Sequence, residues 1–545
     1  MRGVLLKARR PAGAGTPTAN VGRAKRLTLL ACILGSSAVF LDGTLVNVAL
    51  PAIRRDLHGG FATQEWVVDA YLLTLGSLLL IGGSLSDLFG RRRIFGAGVT
   101  GFGLASLLCA AAPDSATLIA ARALQGVTGA LLVPSTLALI MDTFEEHERA
   151  AAIGSWTAWT GIATVIGPLL GGSLVQAASW RWIFVVNAPL VLGTLWLLRY
   201  APAGEPVRAA RVDWLGGLLC ALGLGGPIFA LIEEPSYGWS TARVWMPLLA
   251  GPVLLTAFIA WERRSPAPML PLALFRSRNF AVGNIATLAF YGSLSAATFF
   301  LVVYLQQVAG YTALAAGASL MPMSILSFLL ARRFGALADR LGPRLFMGLG
   351  PLLVGAGLLL LLTVDAHARY LTEVLPGVTL FALGLAITVA PLTAAVLGAV
   401  EHEHSGVASA VNNAIARVAG LVAIAAVGAA VASQFAANLD HQLKSGHAPP
   451  AVRTALAHAR TKTLVIDAAG FPPAQRAAAR RALVAASTDG YRLALEIAAA
   501  LAFMSGVVSL AGVTNGRRSV PARDCSSGAL YGASIDVART ADSVA

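Results

Sequence analysis

The chain has 545 residues, 56% of them hydrophobic and 12% charged, with a formal net charge of +14. Soluble domains carry about 25% charged residues, and a soluble chain of this size could not hide so much apolar surface. That excludes an ordinary soluble enzyme or binding module and makes lipid the solvent; the positive balance would suit nucleic acid, but the placement of the basic residues assigns it elsewhere.

The N-terminus is basic, and the first apolar stretch is too long for a cleaved signal, so it reads as a retained span. A crossing helix needs about 20 predominantly apolar residues. Fourteen such segments occur, at 27–51, 64–83, 94–112, 116–140, 151–173, 182–199, 213–232, 244–261, 280–305, 313–331, 345–364, 370–398, 406–436 and 491–514. Helix formers and Gly dominate them without an alternating barrel pattern, so the spans are helices. Cys32, Cys109, Cys220 and Cys525 form no disulfide framework and no metal-ligand spacing.

Lys and Arg set the orientation. With the N-terminus inside, 26 of the 41 basic residues fall in cytoplasmic segments, while the short outside loops carry only Arg54, Arg55, Arg181, Arg243 and Arg369. Both termini of this multi-pass cell-membrane protein are therefore expected in the cytoplasm. The charge belongs to the inner membrane face, not to a nucleic-acid partner.

A signature joins spans 2 and 3 and returns about 250 residues later between spans 10 and 11. Gly83, Leu85, Asp87, Gly90 and Arg92 recur as Gly335, Leu337, Asp339, Gly342 and Arg344. The chain then holds two related six-helix halves, with spans 7 and 8 inserted between them. The expected divisions are a basic cytoplasmic tail 1–26, an N-terminal half 27–200, inserted helices and linkers 201–279, a C-terminal half 280–515 containing an extracytoplasmic segment 437–490, and a tail 516–545. Both tails read as disordered, and 437–490 reads as short surface helices. Parallel halves of this kind are a transporter architecture with the substrate site between them.

Further motifs fall in order. Span 1 carries Leu41-Asp42-Gly43-Thr44 running to Asn47 and Pro51; span 4 carries Arg122, Gln125, Gly126 and Gly129; span 5 carries Gly154, Gly167, Pro168, Gly171 and Gly172. Trp180-Arg181-Trp182-Ile183-Phe184 precedes Asn187 and Pro189, and Asp213-Trp214 opens span 7. On these motifs the chain resembles the major facilitator superfamily, and within it the fourteen-span drug:proton antiporter branch (EmrB/QacA-like), over nearly all of residues 27–515.

Asp42 and Arg122 are the informative pair. A charge near mid-bilayer costs about 2.5–3.5 kcal/mol on insertion scales, so such residues face a cavity or a partner. Counting from the span ends puts both roughly 9–13 Å below the outer surface. The residues alone allow either an ion pair that aligns helices or a proton-coupling pair. The resemblance implies the second, with spans 1 and 4 lining the central cavity.

For Gly83, Asp87, Gly90, Arg91 and Arg92, with Asp339 and Arg340 in the second copy, the resemblance implies a cytoplasmic latch between the halves. Leu88 stands where the family usually has a basic residue. The span 5 glycines and Pro168 permit close packing and, by resemblance, mark exporters rather than importers. Ala163 replaces the Gly of that signature. Asn47, Asp69, Gln125, Gln306 and Asn412 are candidate polar groups of the cavity. Span 10 lacks Asp and Glu, where some multivalent-cation exporters of this branch carry an acid, so the resemblance disfavours dicationic cargo. Glu401-His402-Glu403-His404 has metal-ligand chemistry but no matching cluster, and reads as a solvated loop.

The sequence thus points to proton-coupled efflux of amphipathic drugs or antibiotics, neutral or monocationic, by a monomer in the bilayer working through alternating access. An exporter of one endogenous metabolite, an uptake permease, or a non-transporting membrane sensor are the alternatives on the same fold. No phosphate loop, nucleophile–base pair or metal cluster indicates an enzyme or a cofactor.

Overall fold

The structure, a computed structural model, describes residues 17–202, 212–266, 268–400, 405–444 and 476–515. Among the described residues all regular structure is helical. The elements are α1 (Pro17–Asp56), α2 (Phe61–Phe89), α3 (Arg91–Ala111), α4 (Ser115–Thr143), α5 (Glu146–Ala177), α6 (Trp182–Val185), α7 (Asn187–Leu198), α8 (Trp214–Tyr237), α9 (Ala242–Glu262), α10 (Arg278–Gln307), α11 (Ala313–Ser319), α12 (Met321–Leu341), α13 (Pro343–Leu360), α14 (Leu375–Leu397), α15 (Ser405–Lys444) and α16 (Arg476–Gly512).

Thirteen helical stretches are long and apolar enough to cross a membrane; Trp182–Leu198 is a shorter apolar stretch. It occupies the expected sixth span but breaks at Val186 into α6 and α7. Two further expectations are corrected. Residues 17–26 belong to the first helix rather than to a disordered tail, and Arg476–Ala485 belong to the last long helix rather than to a separate surface helix. The remainder of the basic tail, the metal-ligand loop 401–404, residues 445–475 and the tail 516–545 lie outside the described residues.

Local chemistry sets the helix ends. The Asp114 carboxylate accepts the Thr117 backbone N–H at 2.8 Å, capping α4, and that bond holds its carboxyl below the usual range. Asp213 caps α8 in the same way through Gly216 at 2.8 Å. Gly90 and Gly342, equivalent in the two signatures, turn the chain with φ of 94° and 88°. A side chain is strained there, which is why the repeat preserves glycine at this offset.

Helices α1–α7 pack among themselves, as do α10–α16, while α8 pairs with α9 and reaches the rest through α2 and α15. All lie in one compact unit, Met1–Val513. Glycines allow the closest approaches. A Cβ at Gly82 would lie 1.9 Å from the Ala130 carbonyl oxygen, and one at Gly126 would lie 2.4 Å from that of Tyr71, so α2 and α4 touch backbone to backbone.

The two helix groups meet mainly at the end away from Arg91–Arg93. There a Cβ at Gly172 of α5 would lie 2.6 Å from Leu314 Cα of α11, and one at Gly317 would lie 2.2 Å from the Pro168 carbonyl oxygen. Gln306 donates to the Val48 carbonyl at 2.9 Å, and Gln307 to Gln64 Oε1 at 3.2 Å. At the arginine-rich end several polar contacts lie within one group. Lys25 bonds Glu148 at 2.5 Å, Arg92 donates to the Ala201 carbonyl at 2.8 Å, and Arg278 to that of Gly512 at 2.9 Å. A Cβ at Gly154, on the α5 stretch nearer this end, would meet nothing within 4 Å.

Gly126→Ala should therefore strain the α2–α4 contact and cost about 1–3 kcal/mol, read as a lower unfolding temperature of the purified protein. Gly154→Ala should melt with the parent. Equal melting of the two variants would contradict this packing.

Candidate functional site

Asp42 lies midway along α1 and Arg122 two turns into α4, both essentially inaccessible at 0% and 1% exposure. Arg122 Nη1 donates to Asp42 Oδ2 at 2.6 Å and to Gln125 Oε1 at 2.7 Å, and its Nε donates to the Val67 carbonyl of α2 at 2.9 Å. The guanidinium carbon stands 4.3 Å from the Tyr71 ring centroid and 5.9 Å from that of Phe184. This is the charge-assisted bonding and aromatic stacking that arginine offers and lysine does not.

Gln125 is the second hub. Its amide donates to Asp42 Oδ1 at 2.9 Å and to the Ser106 hydroxyl of α3 at 2.8 Å. Asn187, opening α7, donates to the same two acceptors at 3.3 and 3.2 Å. Helices α1, α2, α3, α4 and α7 therefore converge on one carboxylate. Both its oxygens are occupied, and no partner comes from α10–α16.

The sequence-derived adjacency of Asp42 and Arg122 is thus realised, but the expected orientation is not. The open face of α1 carries Gly43, Thr44 and Asn47, whereas Asp42 is turned into the interior of the first helix group. One residue is about 100° around a helix, which separates a cavity-lining position from a sealed one. Gln125, expected in the cavity, belongs to the sealed network instead.

The other expected cavity groups are dispersed. Asn47 is partly open and bonds only the Gly43 carbonyl of its own helix, at 3.5 Å. Gln306 closes the far end against α1. Asn412 bonds Asn284 and Thr287 of α10 at 3.0 and 2.9 Å, so it ties two helices together. Asp69 is 0% exposed, and neither of its oxygens finds a partner. Glu65, one turn before it, is 2% exposed with Oε1 unpartnered, pressed toward Gly428 of α15. Sequence reasoning passed over Glu65; the i, i+4 spacing of two acids inside one apolar segment was the available signal.

In the first signature, Arg91 bonds Asp87 at 3.4 Å, Asp142 of α4 and the Ala138 carbonyl, and Arg92 bonds the carbonyls of Ala201 and Arg199. Gly83 and Gly90 serve the packing and the turn there. In the second copy Arg340 is exposed, and the Asp339 side chain lies outside the described residues. In α5 the motif glycines pack tightly. A Cβ at Gly167 would meet Thr44 Oγ1 at 1.9 Å, and one at Gly171 would meet Leu45 at 3.0 Å. Among the described residues no cluster of three His, Cys, Asp or Glu could hold a metal.

A many-span helical bundle with a sealed ionic centre in one helix group defines a class of integral membrane proteins. The Major Facilitator Superfamily profile matches residues 32–424, and the chain belongs to that superfamily. It is 35% identical over 508 residues to the multidrug resistance protein Stp of Mycobacterium tuberculosis, covering 90% of this chain and 92% of the relative. It is 38% identical over 447 residues to the puromycin resistance protein pur8 of Streptomyces alboniger, covering 79% and 86%. It is 31% identical over 512 residues to the tetracenomycin C resistance and export protein of Streptomyces glaucescens, covering 92% and 94%. Among solved structures it shares its fold with a bacterial homologue of the human lysosomal transporter Spinster in an inward-facing, unoccupied conformation (TM-score 0.62, 17% identity, 92% of this chain and 100% of that one).

Gln125→Leu deprives Asp42 Oδ1 of its shorter bond and should destabilise the protein by about 1–3 kcal/mol. The measurement is thermal unfolding in detergent; a variant melting with the parent would remove Gln125 from the network.

Proposed function

We propose that the chain exports an amphipathic organic molecule in exchange for protons by alternating access, as a monomer without cofactor or enzymatic step. The arginine-rich end and both termini lie in the cytoplasm. The observation that carries this reading is the sealed Asp42–Arg122 pair in a bundle whose two helix groups touch at one end. Multidrug resistance, antibiotic resistance and export relatives support efflux of drugs or antibiotics.

The mechanism follows from the charge balance. With Arg122 paired to Asp42 the network is closed. Protonation removes the attraction that holds α1 to α4, because a neutral carboxyl bonds a guanidinium more weakly. When the far-end contacts part, Asp42 takes a proton from the outer side as cargo leaves, and loss of that proton to the cytoplasm after the far end recloses restores the pair. The first signature latches the cytoplasmic end in the alternate state: Arg91 exchanges its contacts to α4, and Asp87 its contact to Arg91, for contacts to the second helix group. The Gly167–Gly172 motif is the hinge face on which α5 meets α1 and α11.

In everted membrane vesicles, Asp42→Asn should abolish proton-gradient-driven accumulation of cargo at normal expression. Undiminished transport would reject the coupling role. Asp87→Asn should slow transport several-fold without altering the accessibility of tagged termini, and full activity in that variant would reject the latch.

A further inference from the structure

The described spans hold a second arginine, partly buried, and no acid among the described residues neutralises it. Arg417 lies on α15, ten residues into the crossing stretch Val407–Leu439, roughly 15 Å along the helix axis. Arg122 has Asp42; Arg417 has no ion pair and no hydrogen bond, and its Nε is buried without a partner. Its base packs on α2, where a Cβ at Gly76 would stand 3.7 Å from Arg417 Cβ. The ionisable groups that interact with it are two phenols, Tyr71 of α2 and Tyr291 of α10. The Tyr71 hydroxyl is also buried without a partner.

Asn413, one turn away, is exposed and bonds only Ser409 of its own helix. Arg417 thus stands beside an open face of α15, at the seam between the two helix groups. The nearby acids do not answer it. Asp42 is consumed by Arg122, and Glu65 and Asp69 are closed away on α2. An intramembrane charge with no internal partner faces a cavity and marks a substrate path. At the far end a pocket of about 920 Å³ is lined by Arg54, Arg55, His58, Gln306 and Gln307, so that mouth is basic too.

We propose that Arg417, with the Tyr71 and Tyr291 phenols beside it, binds the acidic group of the cargo, and that the cargo is an anionic aromatic molecule bearing a carboxylate or phenolate. The planar guanidinium binds a carboxylate in a two-point fork, and Tyr291, partly open on α10, offers an aromatic face to the rest of the molecule, whereas the Tyr71 face is already covered by Arg122. On this proposal an anion is preferred to the monocationic cargo expected from the sequence, because a cation would enter against an uncompensated positive charge. This inference rests on the exporter reading for movement of the cargo but not for its binding.

The test separates the two. The full chain in nanodiscs is titrated with the anionic dye carboxyfluorescein and the cationic dye ethidium by fluorescence polarisation, and flux of both dyes is followed in everted vesicles. The expected result is tighter binding of carboxyfluorescein, weakened at least tenfold in Arg417→Gln, weakened less in Arg417→Lys, which keeps the charge but not the fork, and unchanged in the surface control Arg263→Gln. Circular dichroism and melting establish that each variant folds. Should Arg417→Gln fail to fold, Arg417→Lys and Tyr291→Phe carry the test, both retaining a preference for the anion and Tyr291→Phe weakening it. Absent carboxyfluorescein binding by the parent, a preference for ethidium, or equal loss of both dyes in Arg417→Gln would overturn the proposal. Binding without proton-driven flux would instead overturn the exporter reading and leave the site standing.

Discussion

A carboxylate and a guanidinium buried against each other in hydrocarbon organise the first helix group. Neither Asp42 nor Arg122 could sit alone at that depth: removing one partner of a buried pair typically costs about 3–5 kcal/mol. The surrounding residues answer this demand. Gln125 and Asn187 donate to Asp42 Oδ1 and to the Ser106 hydroxyl, the Val67 carbonyl takes the guanidinium Nε, and the Tyr71 ring covers its face. Five helices are thereby fixed relative to one carboxylate, so any change in its charge is a change in how they fit together.

The glycines decide where that change can act. Backbone-close contacts bind α2 to α4 and α5 to α1, and at the far end α5 to α11. Contacts without side chains to interdigitate allow close approach and also clean separation, because no packed side chain must be withdrawn. The α2–α15 seam is the other joint. It carries Glu65 against Gly428 near one end and Arg417 against Gly76 nearer the other, and α8 packs on both of its helices. The inserted pair α8–α9 therefore sits on a joint, not beside an arbitrary helix, with Trp66 of α2 donating to Glu233 of α8 at 2.8 Å.

Much of the helix order was legible because run length is the strongest signal a membrane chain has; hydrocarbon thickness sets it and tertiary packing barely alters it. Each of the fourteen expected segments falls on helix, although Val186 divides the sixth and Leu320 the tenth. The Asp42–Arg122 contact was legible because unpaired charges in lipid are rare. Which way Asp42 points was not. In a soluble helix the polar face reveals orientation, but α1 has apolar neighbours on its lipid side and its core side alike. Ser106, Tyr71 and Asn187 were silent for the same reason: only the contacts distinguish a network serine from a packing one. Arg417 was visible as a charge in a span; its isolation is a property of three helices and could not be read from one.

The central claim is that the charge on Asp42 governs which end of the bundle is closed. Its most direct test is a pair of spin labels at Gln176 of α5 and Ala315 of α11, across the far-end contact, with distances measured at pH 5 and pH 8 in nanodiscs. The account predicts a population of longer distances at pH 5 in the parent and a pH-independent distribution in Asp42→Asn. A far-end distance that responds to pH equally in both proteins would contradict it.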